Sequence, residues 1–242
     1  MTELVVGLLA CCSKDYYNEQ IKACEKTWCN SKIPIFYFSG EKCGNKICNN
    51  KVVHLKGVSD DVSSATYKQW YGLRWLYEHY PQAKYYYLAG TDTYAKLDKI
   101  LEFLKRLEQK IDTKDYLYIG GDGFIRHETG KEIYYHSGGP GFILSNSLMA
   151  RIYSLIPKWI IQWNTNTHWI KVACDWSIAC LFDHYKLPVK TIKSDNFKAC
   201  NWKGCEKNGK KCCQNVNPDN IWVCHYMQPT DMIEFHNYLF KK

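Results

Sequence analysis

Short apolar runs alternate with segments of helical periodicity, and that alternation constrains this chain more than any other feature. ELVVGLLACC, starting at Glu3, is apolar over nearly its whole length, as a strand buried on both faces must be. Ile21, Cys24 and Trp28 then recur at helical spacing, which predicts a helix over Asn18–Trp28. IPIFYFSG (Ile33–Gly40) is a second strand closed by a glycine turn, and Val52–Leu55 a short third. From Ser64, the residues Tyr67, Trp70, Leu73 and Tyr77 line one face of a helix that Pro81 closes. YYYLAGTDTYA (Tyr85–Ala95) supplies the next strand. Leu97, Ile100, Leu101, Leu104 and Leu107 mark a helix after it, and Tyr116–Gly120 another strand. This order predicts an α/β layered domain with a largely parallel sheet.

After Gly120 the rhythm changes. Phe124–Tyr135 has the pattern of a hairpin with Thr129-Gly130 at its turn. SGGPGFILSNS follows, then a short helix through Leu148, Ile152 and Leu155 that Pro157 stops. A further helix begins near Asp175, uses Ile178, Leu181 or Phe182, and Tyr185, and ends before Pro188. Lys190–Asn220 is polar, cysteine-rich and expected to be irregular. IWVCHYM is a last strand and Thr230–Phe240 a last helix. No repeat, low-complexity segment or linker interrupts the chain, so one domain is expected over residues 1–242.

With 242 residues and 46% apolar content there is material for one large core. The longest apolar run, Leu4–Cys12, is too short to span a bilayer and follows Thr2 and Glu3 rather than a basic stretch. A soluble chain without signal or membrane span is therefore expected. A net charge of +8 suits an anionic partner, but the lysines are scattered and no nucleic-acid-binding motif is present. Nucleic acid is not expected as a partner. Thirteen cysteines, none spaced CxxC, leave at least one unpaired in a monomer. Cys200, Cys205, Cys212, Cys213 and Cys224 crowd the C-terminal part, where disulfides are preferred over a metal cluster. Disulfides point to an oxidising compartment and the missing signal to the cytoplasm, which leaves the location open.

The strand YYYLAG runs into Asp92, flanked by Thr91 and Thr93. Ligands of parallel α/β sheets sit beyond the carboxyl ends of the strands. A hard cation such as Mn²⁺ or Mg²⁺ takes carboxylate oxygens and phosphates there. On spacing alone, a turn aspartate bonded to local backbone is the stronger reading. Asp175, just ahead of an amphipathic run, is in the same way the expected N-cap, and His225 an ordinary strand histidine.

Six motifs in order alter that balance. IKACEKTWC (Ile21–Cys29), YKQWYGLRWLYEHYPQAKYYYLAGTDTYA, HSGGPGFILS (His136–Ser145), CDWSIACL (Cys174–Leu181), KCCQ (Lys211–Gln214) and VCHYMQPTDMIEFHNYL together resemble the fringe-like β1,3-glycosyltransferases. The resemblance is strongest to the core 1 β1,3-galactosyltransferase branch and covers nearly the whole chain. It implies a GT-A fold: a single Rossmann-like domain, with a nucleotide-sugar half over about 1–120 and an acceptor half over about 121–242. It also implies inverting, metal-dependent transfer from a UDP-sugar to a hydroxyl of a glycan or glycoprotein, in the manner of a Golgi-lumen enzyme. On that resemblance Asp92 matches the last family aspartate and His225 the metal-binding histidine, so both are expected to ligate Mn²⁺ or Mg²⁺. Asp175 matches the catalytic base. Thr27, Lys68, Thr91, Gly138 and Gly139 match positions near the donor, with Lys68 assisting the phosphates. Gly90 and Thr91 replace two family aspartates. A non-catalytic, chaperone-like relative with a degenerate metal motif is therefore the alternative.

Overall fold

The computed structural model describes residues 2–41, 51–112, 114–121, 123–128, 131–166, 171–204, 206–207, 210–211 and 217–240. The chain opens with β1 (Leu4–Leu9), α1 (Asp15–Lys26), β2 (Ile35–Gly40), β3 (Val52–Leu55) and α2 (Ala65–His79). Next come β4 (Tyr85–Gly90), the two-residue β5 (Tyr94–Ala95), α3 (Leu97–Glu108), β6 (Leu117–Gly120) and the pair β7 (Gly123–Glu128) and β8 (Lys131–His136). It continues through β9 (Phe142–Ser145), α4 (Asn146–Tyr153), α5 (Ile156–Thr165), α6 (Cys174–His184) and β10 (Lys190–Lys193). The short strands β11 (Phe197–Lys198), β12 (Glu206–Lys207), β13 (Lys210–Lys211) and β14 (Val223–Cys224) precede α7 (Pro229–Phe240).

The main sheet has seven strands in the order β10-β6-β9-β4-β1-β2-β3. It is parallel except for β9, which runs antiparallel to both β4 and β6. From β1 the chain winds outward through β2 and β3, then crosses to the other side of β1 with β4. The strand order thus reverses between β1 and β4, and a crevice opens at their carboxyl ends. The register Leu9↔Gly90 aligns those two ends.

The apolar run of β1 has a simple cause. Successive side chains on a strand face opposite sides. Leu4, Val6 and Leu8 therefore join one core with Ile21, Ile100 and Phe235, and Val5 joins another with Trp70, Trp159 and Ile178. Both faces of the sheet are covered, so no polar alternation survives in β1.

Several boundaries differ from expectation. Pro157 does not stop the preceding helix; it occupies the first turn of α5, where its missing N–H costs nothing. β9 is buried along its whole length, and α5, a helix not expected, buries one face through Ile156, Trp159, Ile160 and Trp163 at helical spacing. Lys190–Asn220 is not wholly irregular, because β10 pairs with β6 as an exposed edge strand. β7 and β8 pair antiparallel as the hairpin requires, while Thr129 and Gly130 lie outside the described residues. No disulfide joins two described cysteines, Cys200 and Cys224 of the C-terminal group included. Cys205, Cys212 and Cys213 lie outside the described residues, as does most of KCCQ. Among the described residues, no helix is long and apolar enough to cross a membrane.

Candidate active site

β4 ends at Gly90, and the absence of a side chain there matters. A Cβ on Gly90 would lie 2.6 Å from Asp92 Oδ1, so in this arrangement the carboxylate folds back over the strand end into the space beside the glycine. Asp92 Oδ2 lies 3.0 Å from Nε2 of His225. A small second sheet creates this meeting: β14 pairs antiparallel with β5, with Cys224 opposite Tyr94. The Met227 amide donates to the Asp92 carbonyl (2.9 Å), and the His225 amide to the Cys200 carbonyl (3.0 Å). His225 Nδ1 is buried and has no hydrogen-bond partner among the described residues.

The turn between β8 and β9, Ser137–Gly141, carries the third group to the same place. Gly139 packs against the His225 ring, and its carbonyl accepts from Thr93 Oγ1 at 2.6 Å. The neighbouring Gly138 amide donates to Asp175 Oδ2 at 3.0 Å. Asp175 sits in the first turn of α6, and its Oδ1 accepts from the Trp176 amide at 2.9 Å. Two consecutive glycines therefore connect Asp175 with the Asp92–His225 pair.

The other expected donor contacts fall elsewhere. Thr91 is 2% exposed and its hydroxyl donates inward to Gln20 Oε1 at 2.7 Å, so it does not face the crevice. Thr27 Oγ1 donates to the Ala23 carbonyl and lines a separate groove of about 480 Å³ with Trp28, Tyr94 and His236. Lys68 is buried rather than solvated. Its Nζ donates to the Ala10 carbonyl (2.8 Å) and pairs with Asp60 (2.9 Å), both side chains being 3% exposed. Burial alone would raise the Asp60 pKa, but the Gly40 and Ser13 amides and Lys68 together hold it at about 2. That pair fastens the carboxyl end of β1 to the chain entering α2. Lys68 also lines a pocket of about 100 Å³ there, with Tyr17, Cys11 and Asp61.

Sequence reasoning missed Tyr17, whose pKa is raised by burial and by the nearby Cys11 and Asp92. It also missed Asp60, Gln20 and Tyr226, whose ring lies against His225 with centroids 3.9 Å apart. No local spacing announces any of them.

As a donor set, one carboxylate and one imidazole converge. No cluster of three or more His, Cys, Asp or Glu suited to a metal occurs among the described residues. A Mg²⁺- or Mn²⁺-type ion that keeps waters and takes phosphate oxygens needs no more protein ligands than this, so the pair fits.

No protein-family model matches the chain, and no curated protein does. Solved structures do. The galactosyltransferase LgtC, in complex with donor and acceptor sugar analogs, superposes with a TM-score of 0.51 at 10% identity, over 98% of this chain and 95% of that one. The fold is of the GT-A type. The apo-form glycosyltransferase GlyE of Streptococcus pneumoniae TIGR4 gives a TM-score of 0.54 at 11% identity. That match covers 97% of this chain but 60% of GlyE. A glycosyltransferase involved in the glycosylation of the major capsid of PBCV-1 is similar at a TM-score of 0.49 and 10% identity, over 96% and 98% of the two chains. In this GT-A chain, Asp92 and His225 stand at the strand-order reversal where such a sheet opens its crevice.

Proposed function

We propose that the chain is an inverting, metal-dependent glycosyltransferase of the fringe-like kind. It would move a sugar from a UDP-sugar to a hydroxyl of a glycan or glycoprotein. The observation that carries this reading is the 3.0 Å approach of Asp92 to His225 at the carboxyl end of β4. On this reading residues 1–120 or so form the nucleotide-sugar half, and the remainder shapes the acceptor side.

Asp92 and His225 would hold Mn²⁺ or Mg²⁺, which when bound supplies a Lewis acid for the charge of the departing diphosphate. Asp175 is the group suited to take the acceptor proton. Each of its oxygens accepts one backbone N–H, and each keeps a further lone-pair site for a substrate hydroxyl. Attack on the anomeric carbon from the face opposite the nucleotide inverts the centre in one displacement. The Gly138 amide fixes the carboxylate for that step.

One observation favours the non-catalytic, chaperone-like alternative: Thr91, which stands where the family has an acidic residue, is committed to Gln20. Calorimetric titration of UDP separates the two readings. It would be run with Mn²⁺ and with chelator, on wild type, Asp92→Ala and His225→Ala. Metal-dependent binding lost in both variants supports the enzyme. No binding to folded wild type favours the chaperone-like reading.

A further inference from the structure

α2 presents three buried side chains to the start of α6. Thr66, Gln69 and Trp70 share one face of the helix, and each is at most 3% exposed. Thr66 Oγ1 donates to the Lys171 carbonyl at 2.6 Å and Gln69 Nε2 to the Cys174 carbonyl at 2.6 Å. Trp70 Nε1 donates to Ser177 Oγ at 3.0 Å. The acceptors advance three residues at a time through the entry of α6. Gln69 holds the middle one, on the residue that precedes Asp175.

That entry has no side-chain fastening of its own. Ala173 occupies the N-cap position, where it offers no side-chain oxygen to the first amides of the helix. The contact from α2 leaves Gln69 Oε1 buried with no hydrogen-bond partner among the described residues. An unpaired amide oxygen in the interior costs stability, and an apolar side chain of similar size would avoid that cost. What the glutamine provides instead is the grip of its Nε2 on Cys174. The preceding residue, Lys68, donates to the Ala10 carbonyl just past β1. Two successive residues of α2 thus tie the end of β1 and the residue before Asp175 to one helix.

We propose that Gln69 is a positioning residue for Asp175. By fixing the Cys174 carbonyl it sets where α6 begins. It thereby sets the point from which Asp175 accepts from the Gly138 and Trp176 amides together. A base must meet the acceptor hydroxyl at hydrogen-bond distance, and a small displacement lowers the rate steeply. The catalytic part of the inference rests on the sugar-transfer reading; the placement of the carboxylate does not.

The test compares wild type with Gln69→Met and Gln69→Glu. Methionine keeps roughly the volume without the donor, and the carboxyl of Gln69→Glu donates only when protonated. Thermal unfolding and hydrogen exchange of the Gly138 amide, followed by NMR, are measured on each protein. UDP release is measured in Mn²⁺ with water as acceptor, from UDP-galactose, UDP-glucose and UDP-N-acetylglucosamine. For Gln69→Met we expect unfolding within a few degrees of wild type and Gly138 exchange about tenfold faster. The kcat for UDP release should fall by roughly tenfold to 10²-fold, with KM for the UDP-sugar unchanged. In Gln69→Glu both effects, relative to wild type at the same pH, should shrink between about pH 8 and pH 5.5, because burial favours the protonated carboxyl. If wild type releases no UDP from any donor while Gly138 exchange still depends on residue 69, the sugar-transfer reading fails and the placement stands. Unchanged Gly138 exchange in Gln69→Met overturns the positioning, as does unchanged kcat in an active enzyme; the sugar-transfer reading then survives on wild-type turnover. A raised KM with kcat unchanged moves Gln69 to donor binding and overturns it too. Early unfolding of both variants, or exchange that quickens equally in β1, makes Gln69 a packing residue and overturns it as well.

Discussion

Gly139 leaves room for the imidazole of His225 and for nothing more: a Cβ at that position would lie 2.0 Å from Cε1 and 2.5 Å from Nε2. The glycine is there because a ring occupies the space where a side chain would begin. Its carbonyl is meanwhile pinned by Thr93, so the loop cannot retreat freely.

Gly139→Ala should therefore push His225 away from Asp92. We expect UDP binding in Mn²⁺ to weaken by tenfold or more, roughly 1.4 kcal/mol at least. Thermal or urea unfolding should show a loss of about 1–3 kcal/mol from the overpacking. Wild-type affinity in a folded alanine variant would mean that His225 does not act in binding.

Asp175→Asn tests the proton acceptor separately. An amide oxygen can still accept from Gly138, so the turn between β8 and β9 should hold. UDP affinity is expected to stay constant while turnover on a UDP-sugar falls by about 10²–10⁴-fold. A parallel fall in UDP affinity would assign Asp175 to support of the loop alone.

Thr91→Val removes the hydroxyl from Gln20 without changing shape much. With Gln20 Oε1 left unsatisfied in the interior, a cost of about 1–3 kcal/mol is expected in denaturant unfolding. Affinities for UDP and UDP-sugars should not change. A selective loss of sugar-nucleotide affinity would restore a donor contact to this residue.

Lys68→Met should act on stability as well, because the lysine is paired beneath the surface. Removing it leaves Asp60 buried without its cation, at about 3–5 kcal/mol. The double variant with Asp60→Asn should recover part of that loss. Selective weakening of UDP binding, with unfolding unchanged, would contradict the pairing.

Acid stability should fall in two windows. His136 is buried against Tyr118, and burial lowers its pKa from 6.5 to about 4. The unfolded chain then takes the proton first, so the stabilisation is complete above about pH 6.5 and disappears toward pH 4, roughly 3 kcal/mol in all. Asp60 has its folded pKa at about 2 against 3.8, so its contribution is present above about pH 4 and lost toward pH 2. Urea unfolding across pH 2–8 checks both windows. His136→Gln should flatten the upper window and leave the lower one.

By itself the sequence determined the layered α/β class and the placement of Asp92 at a strand end. Those features are local: a strand buried on both faces must be apolar throughout, and a helix must repeat its apolar face. Asp175 and His225 drew attention through resemblance, since as single residues an N-cap and a strand histidine explain them equally well. Their convergence was decided by tertiary structure. Pairing of Cys224 with Tyr94 carries His225 to Asp92, and the turn after β8 carries Gly138 to Asp175. The same long-range packing turned Thr91 toward Gln20 and Lys68 toward Asp60, away from the roles their positions suggested. A side chain's partner depends on which elements the sheet order brings beside it, and no period along the chain encodes that order.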